Sequence, residues 1–317
     1  HTVLEQVDNE SPTFADINGD GKPEIICNNG GNFGYAEPDW KNPTKPWKFH
    51  AITEKGNWQR YTHGLGIGDV NGDGRQDFLF KSGWLEQPAK KDGKWTMHPA
   101  MFSPGGGAQM YAYDVNGDGR NDVITSIAAH GYGLAWHEQL AKKDKNGHAT
   151  FKMHIFMNKE RSENKYGVQF SQLHAVELFD VDGDGLKDIV TGKTFWAHGP
   201  GKDPDPGAAP VIYWFKLVRD GGKVDFIPHL IDNDSGIGRQ IGVADFNGDG
   251  LQDLIIGNKK GTYVFAHKKK SVSKADWQAA QPKVYVAPKK VAQARPAAAA
   301  KPSGETAFEK PAGSEGV

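Results

Sequence analysis

The chain has 317 residues, of which 37% are apolar and 24% are charged, and it contains 40 glycines and a single cysteine, Cys27. One cysteine excludes a disulfide framework and a cysteine-based zinc site. The formal net charge of −1 does not favour nucleic-acid binding, which usually goes with a basic surface. The apolar runs fall far short of the roughly 18 residues that a membrane-spanning helix needs, so we expect no membrane span.

One acidic motif recurs five times, and successive copies begin 45 to 66 residues apart. This spacing is long enough for one four-stranded sheet and its loops. Each copy is followed by a β-branched and aromatic run such as DFLF or DIVT, which is typical of a strand. The motif is therefore predicted to join two strands. The strand before it, such as HGLGIGD, is predicted to be the innermost, because its glycines permit close packing.

Each copy reads D-x-[DN]-G-D-G-x-x-[DE], with side-chain oxygens at positions 1, 3, 5 and 9. Calcium takes six to eight oxygen ligands, and so many carboxylates in nine residues would repel one another without a cation. A single copy could be a turn that binds nothing, but five copies favour about five structural Ca²⁺ ions. The predicted ligands are Asp16, Asn18, Asp20, Glu24, Asp69, Asn71, Asp73, Asp77, Asp114, Asn116, Asp118, Asp122, Asp180, Asp182, Asp184, Asp188, Asp245, Asn247, Asp249 and Asp253.

These loops and the strands after them resemble the FG-GAP or VCBS-type repeat, over residues 1 to about 267. The resemblance implies an all-β fold, a β-propeller of four-stranded blades with the calcium loop between the first two strands of each blade. That family is usually seven-bladed, and two architectures remain open. Either a strand from His1–Val7 closes a five-unit ring, or the five units are part of a larger ring, which we favour. Lys, Ala and Pro dominate residues 268–317, which predicts a disordered tail or linker.

Polar side chains are expected to converge on the face opposite the calcium loops, where inner strands start and the following strands end. Strand length places this face roughly 15 Å from the calcium ions. A lone histidine there is usually structural, but four around one axis could bind a transition metal such as Zn²⁺ or move protons. The predicted catalytic set is His63, His130, His174, His198, Lys193 and Arg239. By contrast, His50, His98, His154 and His229 recur in phase on presumed outer strands and are interpreted as packing residues.

A carbohydrate or glycan ligand is the predicted partner. Aromatic faces of the kind on which sugar rings stack are offered at the same face, together with polar groups. Five Ca²⁺ ions would also change the formal net charge from −1 to about +9, which favours an anionic partner such as an acidic polysaccharide. The predicted substrate-binding residues are Trp84, Tyr132, Trp196, Gln172 and Lys259.

Stretches such as AHGYGLAWHEQ, SQLHAVEL and TGKTFWAHGP look similar to secreted bacterial propeller proteins and to the propeller domain of fungal aldos-2-ulose dehydratase. That resemblance implies a carbon–oxygen lyase, in which a metal polarises the carbonyl of a keto-sugar and a base removes the neighbouring proton. His130, His174 and His198 would be ligands or bases, and Lys193 and Arg239 would stabilise the enolate.

The alternative is a non-catalytic, calcium-stabilised module that binds a glycan or a protein, as in integrin-like propellers. Weak calcium sites suit the millimolar calcium found outside the cytoplasm, so either function predicts a secreted or periplasmic protein. The sequence predicts no oligomeric state.

Overall fold

In the computed structural model, which describes residues 1–288, nineteen strands form five consecutive antiparallel units. Each unit begins with the strand that precedes an acidic motif. The first unit is β1 (Thr13–Ala15), β2 (Glu24–Asn29), β3 (Asn32–Glu37) and β4 (Lys48–Ala51), and the second is β5 (Leu65–Gly68), β6 (Asp77–Phe80), β7 (Gly83–Glu86) and β8 (Thr96–Pro99). The third is β9 (Gln109–Tyr113), β10 (Asp122–Ser126), β11 (Leu134–Leu140) and β12 (Thr150–Met157). The fourth is β13 (Val176–Phe179), β14 (Asp188–Gly192), β15 (Ile212–Asp220) and β16 (Lys223–Asp232), and the fifth is β17 (Ile241–Ala244), β18 (Asp253–Asn258) and β19 (Gly261–Phe265).

Strands pair with their neighbours in chain order within each unit, and inner strands meet between units. β5 runs parallel to β9, with Leu65 opposite Gln109. A Cβ atom on Gly66 would lie 1.8 Å from the Met110 carbonyl oxygen, so this approach requires glycine. These contacts confirm the predicted all-β propeller architecture and the position of the first strand of each unit. The fifth unit has three strands in the described residues, and membership of a larger ring stays a prediction.

The segment His1–Val7 does not supply a strand to the fifth unit. The Val3 carbonyl instead accepts a hydrogen bond from the Trp47 amide, at 2.7 Å, next to β4. The following residue anchors the segment to the first unit, because the Asp8 amide donates to Asn28 O at 2.9 Å. Closure of a five-unit ring by this segment is therefore not observed.

The compact part of the chain extends to Tyr285, beyond the boundary that composition predicted at Lys268. A helix, α1 (Lys274–Ala280), begins after Ser273, whose hydroxyl accepts a hydrogen bond from the Asp276 amide. The Arg161 guanidinium carbon lies 5.2 Å from the centroid of the Tyr285 ring. Residues 289–317 of the predicted tail lie outside the described residues. No described helix could cross a bilayer, and α1 has only seven residues.

In four units, a histidine on the fourth strand packs against an aromatic residue on the third strand. Each imidazole stacks on an aromatic ring of the third strand with centroids 4.1–4.9 Å apart, and three of them also contact a glutamate at 2.7–2.8 Å. This agrees with their predicted packing role. It also corrects the prediction for Trp84, which is 3% exposed and lies in the second unit beneath His98. The stacked pairs are Tyr35–His50, Trp84–His98, Trp136–His154 and Trp214–His229.

Candidate functional site

The acidic motifs form one loop structure that joins the first two strands of each unit, and the second copy is representative. The Asp69 carboxylate accepts backbone hydrogen bonds from Gly72 at 2.7 Å and Gly74 at 2.8 Å. Both glycines have positive φ values, 78° and 85°, which explains why the motif needs glycine. The Asp77 carboxylate is buried and accepts from Val70 N and Gln87 N, each at 2.9 Å. The ninth position thus ties the loop to the end of β7.

The fourth loop has a donor set that fits a hard cation. Carboxylate oxygens of Asp180, Asp182 and Asp188 all lie within 4.8 Å of one another, which suits Ca²⁺ with ligands at about 2.3–2.6 Å. Burial, with a smaller contribution from Asp182, raises the pKa of Asp188 to about 7. Lys216 forms ion pairs with both Asp182 and Asp184. Its positive charge offsets part of the negative charge of this loop.

In two other loops, an arginine forms an ion pair with an aspartate of the acidic motif. Arg75 contacts Asp73, and Arg120 contacts Asp118. All twenty residues predicted as calcium ligands belong to the five loops. The loops therefore concentrate negative charge at one end of every unit, and calcium binding there stays a prediction.

Three histidines from different units meet at the other end of the strands. His63 precedes β5, His130 follows β10 and His174 precedes β13, and one nitrogen from each lies within 4.8 Å of the others. The Nε2 atoms of His130 and His174 are 3.4 Å apart. Thr194 Oγ1 lies 3.2 Å from His174 Nδ1, which fixes the ring so that Nε2 faces the other imidazoles.

Glu10 adds a carboxylate to this group. Its Oε2 atom lies 3.2 Å from His63 Nε2 and 3.9 Å from His174 Nε2. Glu10 Oε2 also forms an ion pair with Arg239 Nε at 2.6 Å, whereas the buried His63 Nε2 has no well-aligned hydrogen bond within residues 1–288. Ligands about 2.1 Å from a tetrahedral metal ion are about 3.4 Å apart, close to these separations. Glu10, His63, His130 and His174, hereafter the histidine centre, therefore fit a divalent transition metal.

Asp203 lies beside the histidine centre. Its Oδ1 atom is 3.3 Å from His130 Nδ1 and 2.8 Å from His198 Nδ1. Only the contact with His198 is a hydrogen bond, because His130 Nδ1 has no well-aligned partner among residues 1–288. His198 is exposed and stacks on His130 with centroids 4.4 Å apart. His198 therefore lies outside the three-histidine group and is open to solvent.

Burial favours the neutral form of two imidazoles of the centre, His174 and His130. It lowers the pKa of His174, and Arg239 and His130 lower it further. Burial also lowers the pKa of His130, with added repulsion from His63 and His198. Against the opposing effect of burial, contact with His63 and the Arg239 guanidinium lowers the pKa of Glu10. Neutral imidazoles and an ionised carboxylate are the forms that bind metals.

The other predicted site residues contact a loop over residues 194–210. Arg239 Nη2 donates to Ala197 O at 3.2 Å, and Lys259 Nζ donates to the same oxygen at 2.6 Å. Tyr132 donates its hydroxyl proton to Asp205. These residues lie near the histidine centre, but their polar groups already have protein partners.

Gln172 and Lys193 were predicted to face the substrate, but both side chains are buried. Gln172 is 1% exposed, donates to Pro204 O at 2.9 Å and accepts from Ala197 N at 3.1 Å. Its amide therefore holds the loop and is not available to bind substrate. Lys193, directly after β14, is 2% exposed, and burial lowers the pKa of its ammonium.

A partly buried acid lies between the inner strands β9 and β13. Tyr111 on β9 donates its hydroxyl proton to Glu177 Oε2 on β13, at 3.0 Å. Burial raises the pKa of Glu177 from 4.5 to about 7. The folded state therefore binds this proton more tightly than the unfolded state. The resulting stabilisation is full below about pH 4.5 and is lost as the pH rises through 7.

We expect Glu177→Gln to weaken the pH dependence of stability, because glutamine cannot ionise and still accepts from Tyr111. The variant should be more stable than the wild type by about 3 kcal/mol at pH 8 and by about 1 kcal/mol at pH 5. Urea unfolding at both pH values, in saturating calcium, measures this difference. The exposed Glu54 provides the control variant Glu54→Gln. Identical pH dependence in the wild type and Glu177→Gln would refute the prediction.

Comparison with protein-family models matches residues 16–80 to an FG-GAP-like repeat and residues 237–266 to an FG-GAP repeat. No match was found among curated protein sequences. The two matched regions contain the first, second and fifth acidic loops. They support the repeat pattern that the structure displays in all five units.

Several solved structures are similar to the chain at low identity. A lectin from Agrocybe aegerita, described with recognition of non-reducing terminal N-acetylglucosamine, has 18% identity and a TM-score of 0.46, with 80% of this chain and 61% of that chain covered. The Photorhabdus luminescens Tc holotoxin pore has 15% identity and a TM-score of 0.41, with 83% and 11% covered. The Bacillus licheniformis rhamnogalacturonan lyase PL11 has 15% identity and a TM-score of 0.33, with 81% and 44% covered. The chain thus spans at most 61% of the length of these structures, and the similarity is too low to transfer a function.

Proposed function

Because the chain is an FG-GAP repeat protein with a β-propeller fold, we propose that it is an extracytoplasmic, calcium-stabilised propeller that acts on carbohydrate at the histidine centre. The observation that carries this proposal is the meeting of three imidazoles and one carboxylate from four different units. Packing alone does not require four such groups to face one another. Millimolar calcium outside the cytoplasm suits the acidic loops.

The proposed reaction is elimination of water from a keto-sugar, a carbon–oxygen lyase activity. A divalent metal such as Zn²⁺ at the histidine centre would supply a Lewis acid for the sugar carbonyl. His198, held through Nδ1 by Asp203 at 2.8 Å, presents Nε2 to solvent as the base that removes the proton next to the carbonyl. The C–H electrons form the new double bond, and the hydroxyl on the next carbon leaves as water by taking the proton that His198 removed.

Two further side chains have roles in this scheme. The Arg239 guanidinium is held beside the histidine centre by its 2.6 Å ion pair with Glu10, and it would lie near the position where an enolate forms. Trp196, partly exposed on the loop above the site, offers a ring on which the sugar can stack.

A second candidate is a non-catalytic module that binds a glycan or a protein at the same face. It is favoured by the contacts of Arg239, Lys259 and Tyr132, whose polar groups are bonded to the protein. Such side chains could shape a binding surface without taking part in chemistry. The converging imidazoles separate the two functions, because adhesion does not need a transition metal.

Elemental analysis of protein purified without chelator tests the proposal, followed by an assay for keto-sugar dehydration. We expect about one transition metal ion per chain besides calcium, and an unsaturated product detected by its ultraviolet absorbance. Calcium alone, with no turnover after zinc, manganese or iron is added, would favour the binding module.

A further inference from the structure

Two clefts reach the histidine centre from different units. The first, the tyrosine cleft, has a volume of about 420 Å³ and contains Arg60, Tyr61, His63 and Lys81. The second, the tryptophan cleft, has a volume of about 430 Å³ and is lined by Trp196, Arg239 and Lys259, among others. Each cleft is large enough to hold a sugar residue.

One lining residue of each cleft contacts the same buried atom, Glu10 Oε2, although Glu10 itself lines neither cleft. His63 belongs to the tyrosine cleft and lies 3.2 Å from Glu10 Oε2. Arg239 belongs to the tryptophan cleft and lies 2.6 Å from the same oxygen. The two clefts therefore lie close together at the histidine centre, and a ligand with several linked units could occupy both.

Both clefts are electropositive. Among the described residues that line them there is no aspartate or glutamate, whereas Arg60, Lys81, Arg239 and Lys259 contribute four cations. Glu10, the acid at the junction, is paired with Arg239. The acids of the chain are instead concentrated in the five loops at the opposite ends of the strands. This separation of charge favours an anionic ligand on the histidine face.

Each cleft also presents an aromatic residue on a strained backbone. Tyr61 has a φ of 69° and is 62% exposed, and Trp196 has a φ of 50°. A non-glycine residue in this conformation costs about 1–3 kcal/mol and tends to occur at ligand sites. Of the residues in the range 1–288, only Gln172 and Asp205 share this feature with them, and both lie in the segments around the centre.

A cation accompanies each of these aromatic residues. The Arg60 guanidinium carbon lies 5.4 Å from the centroid of the Tyr61 ring. Lys259 Nζ donates to the backbone oxygen of Trp196 at 2.8 Å. A flat ring and a positive charge thus occur together in each cleft, but Lys259 is bonded to two backbone oxygens and Arg239 to Glu10, so Arg60 and Lys81 of the tyrosine cleft are the less engaged cations. A flat ring stacks on the apolar face of a sugar, and a cation beside it pairs with a carboxylate.

We propose that the two clefts bind an acidic polysaccharide, a chain of sugars that each carry a carboxylate, across the histidine centre. This inference rests on the proposed carbohydrate function and specifies its substrate class. A nucleic acid is less favoured, because it requires a basic groove along its whole backbone, whereas the cations here are confined to two clefts. Nucleic-acid binding is therefore an outcome of the test.

Isothermal titration calorimetry with the calcium-loaded full chain provides the test. The probes are hexagalacturonate, its fully methyl-esterified and therefore uncharged form, and a hexathymidylate of similar charge. We expect hexagalacturonate to bind at least tenfold more tightly than the ester and than the hexathymidylate. Equal affinity for the charged and uncharged hexasaccharides, or tighter binding of the hexathymidylate, would overturn the proposal.

Variants locate the binding on the clefts. Arg60→Gln combined with Lys81→Gln should weaken hexagalacturonate binding at least tenfold, and Tyr61→Ala should weaken binding of both hexasaccharides. Neither change touches the histidine centre. The matched control is Lys48→Gln with Lys152→Gln, two exposed lysines on β4 and β12, which should leave affinity unchanged. If the cleft and control variants lose affinity equally, the binding is non-specific and the proposal fails.

The outcomes separate this inference from the proposed reaction. Charge-selective binding without a transition metal or turnover would leave the clefts in place and refute the lyase. Metal-dependent turnover of a neutral keto-sugar, without preference for hexagalacturonate, would support the lyase and refute the acidic substrate.

Discussion

His174→Ala is expected to remove the transition metal from the histidine centre and to lower lyase turnover at least 1,000-fold, or about 4 kcal/mol in activation free energy. His174 is 1% exposed, and its Nε2 atom faces both His130, at 3.4 Å, and Glu10, at 3.9 Å. Losing one of four ligands weakens binding of the metal, which is proposed to polarise the sugar carbonyl. Metal content per chain and initial rate measure the effect.

A second variant distinguishes loss of the metal from loss of folding, because His174 is buried. His63→Ala removes a more accessible ligand and should cause the same loss of metal. His154→Ala is the control, because His154 stacks on Trp136 from the outermost strand of the third unit and is not one of the converging imidazoles. It should lower stability but leave the metal content unchanged. Full metal occupancy in both His174→Ala and His63→Ala would show that these imidazoles are not ligands.

Removal of calcium by EDTA is expected to lower the melting temperature of the whole propeller by tens of degrees. A ligand present at 100 times its Kd contributes about 2.7 kcal/mol per site, so five loops together can exceed the net stability of a typical domain. Without the ion, the acids of each loop repel one another, and the backbone turn that they hold weakens. Calorimetric melting before and after chelation, with calcium added back, measures this effect.

Asp182→Asn tests one loop in isolation. Among the described residues, Asp182 contacts Lys216 through its side chain and holds no strand in place, so the change removes a charge without breaking the loop's backbone hydrogen bonds. We expect a smaller calcium-induced gain in stability, by about 1–3 kcal/mol. Asp220→Asn, at the exposed end of β15, is the control. If calcium stabilises both variants and the wild type equally, the fourth loop does not bind the ion.

Prediction from the sequence succeeded where the determinants are local. The strand after each loop is marked by its own β-branched residues, and the inner strand by glycines such as Gly66, which the close approach of Met110 requires. The packing role of the in-phase histidines was predicted from their recurrence at one position of each unit. In the structure, His98 lies opposite Trp84 on the paired strand. Even so, the partner of His98 was unknown from the sequence, and this is why Trp84 was assigned to the wrong surface.

The residues that sequence reasoning missed act through distant partners. Glu10 is absent from the predicted catalytic, substrate-binding and metal-binding residues, because nothing in its neighbourhood along the chain distinguishes it from a solvated acid. Asp203 lies in a loop rich in Gly, Pro and Asp, yet its carboxylate contacts His130 and His198. The only signal that could have found it is the proximity of the loop to TGKTFWAHGP along the chain.

The sequence by itself determined the strand–loop–strand repeat and the donor set of each acidic loop, because all the interacting groups lie within nine residues of one another. Only the tertiary structure decided which polar residues form a site. Glu10, His63, His130 and His174 come from four units, and their distances depend on how the inner strands pack around a common axis. The same packing turned Gln172 inward to hold a loop and brought one residue of each basic cleft into contact with Glu10. Side-chain direction at a strand end is set by neighbouring units rather than by the local sequence.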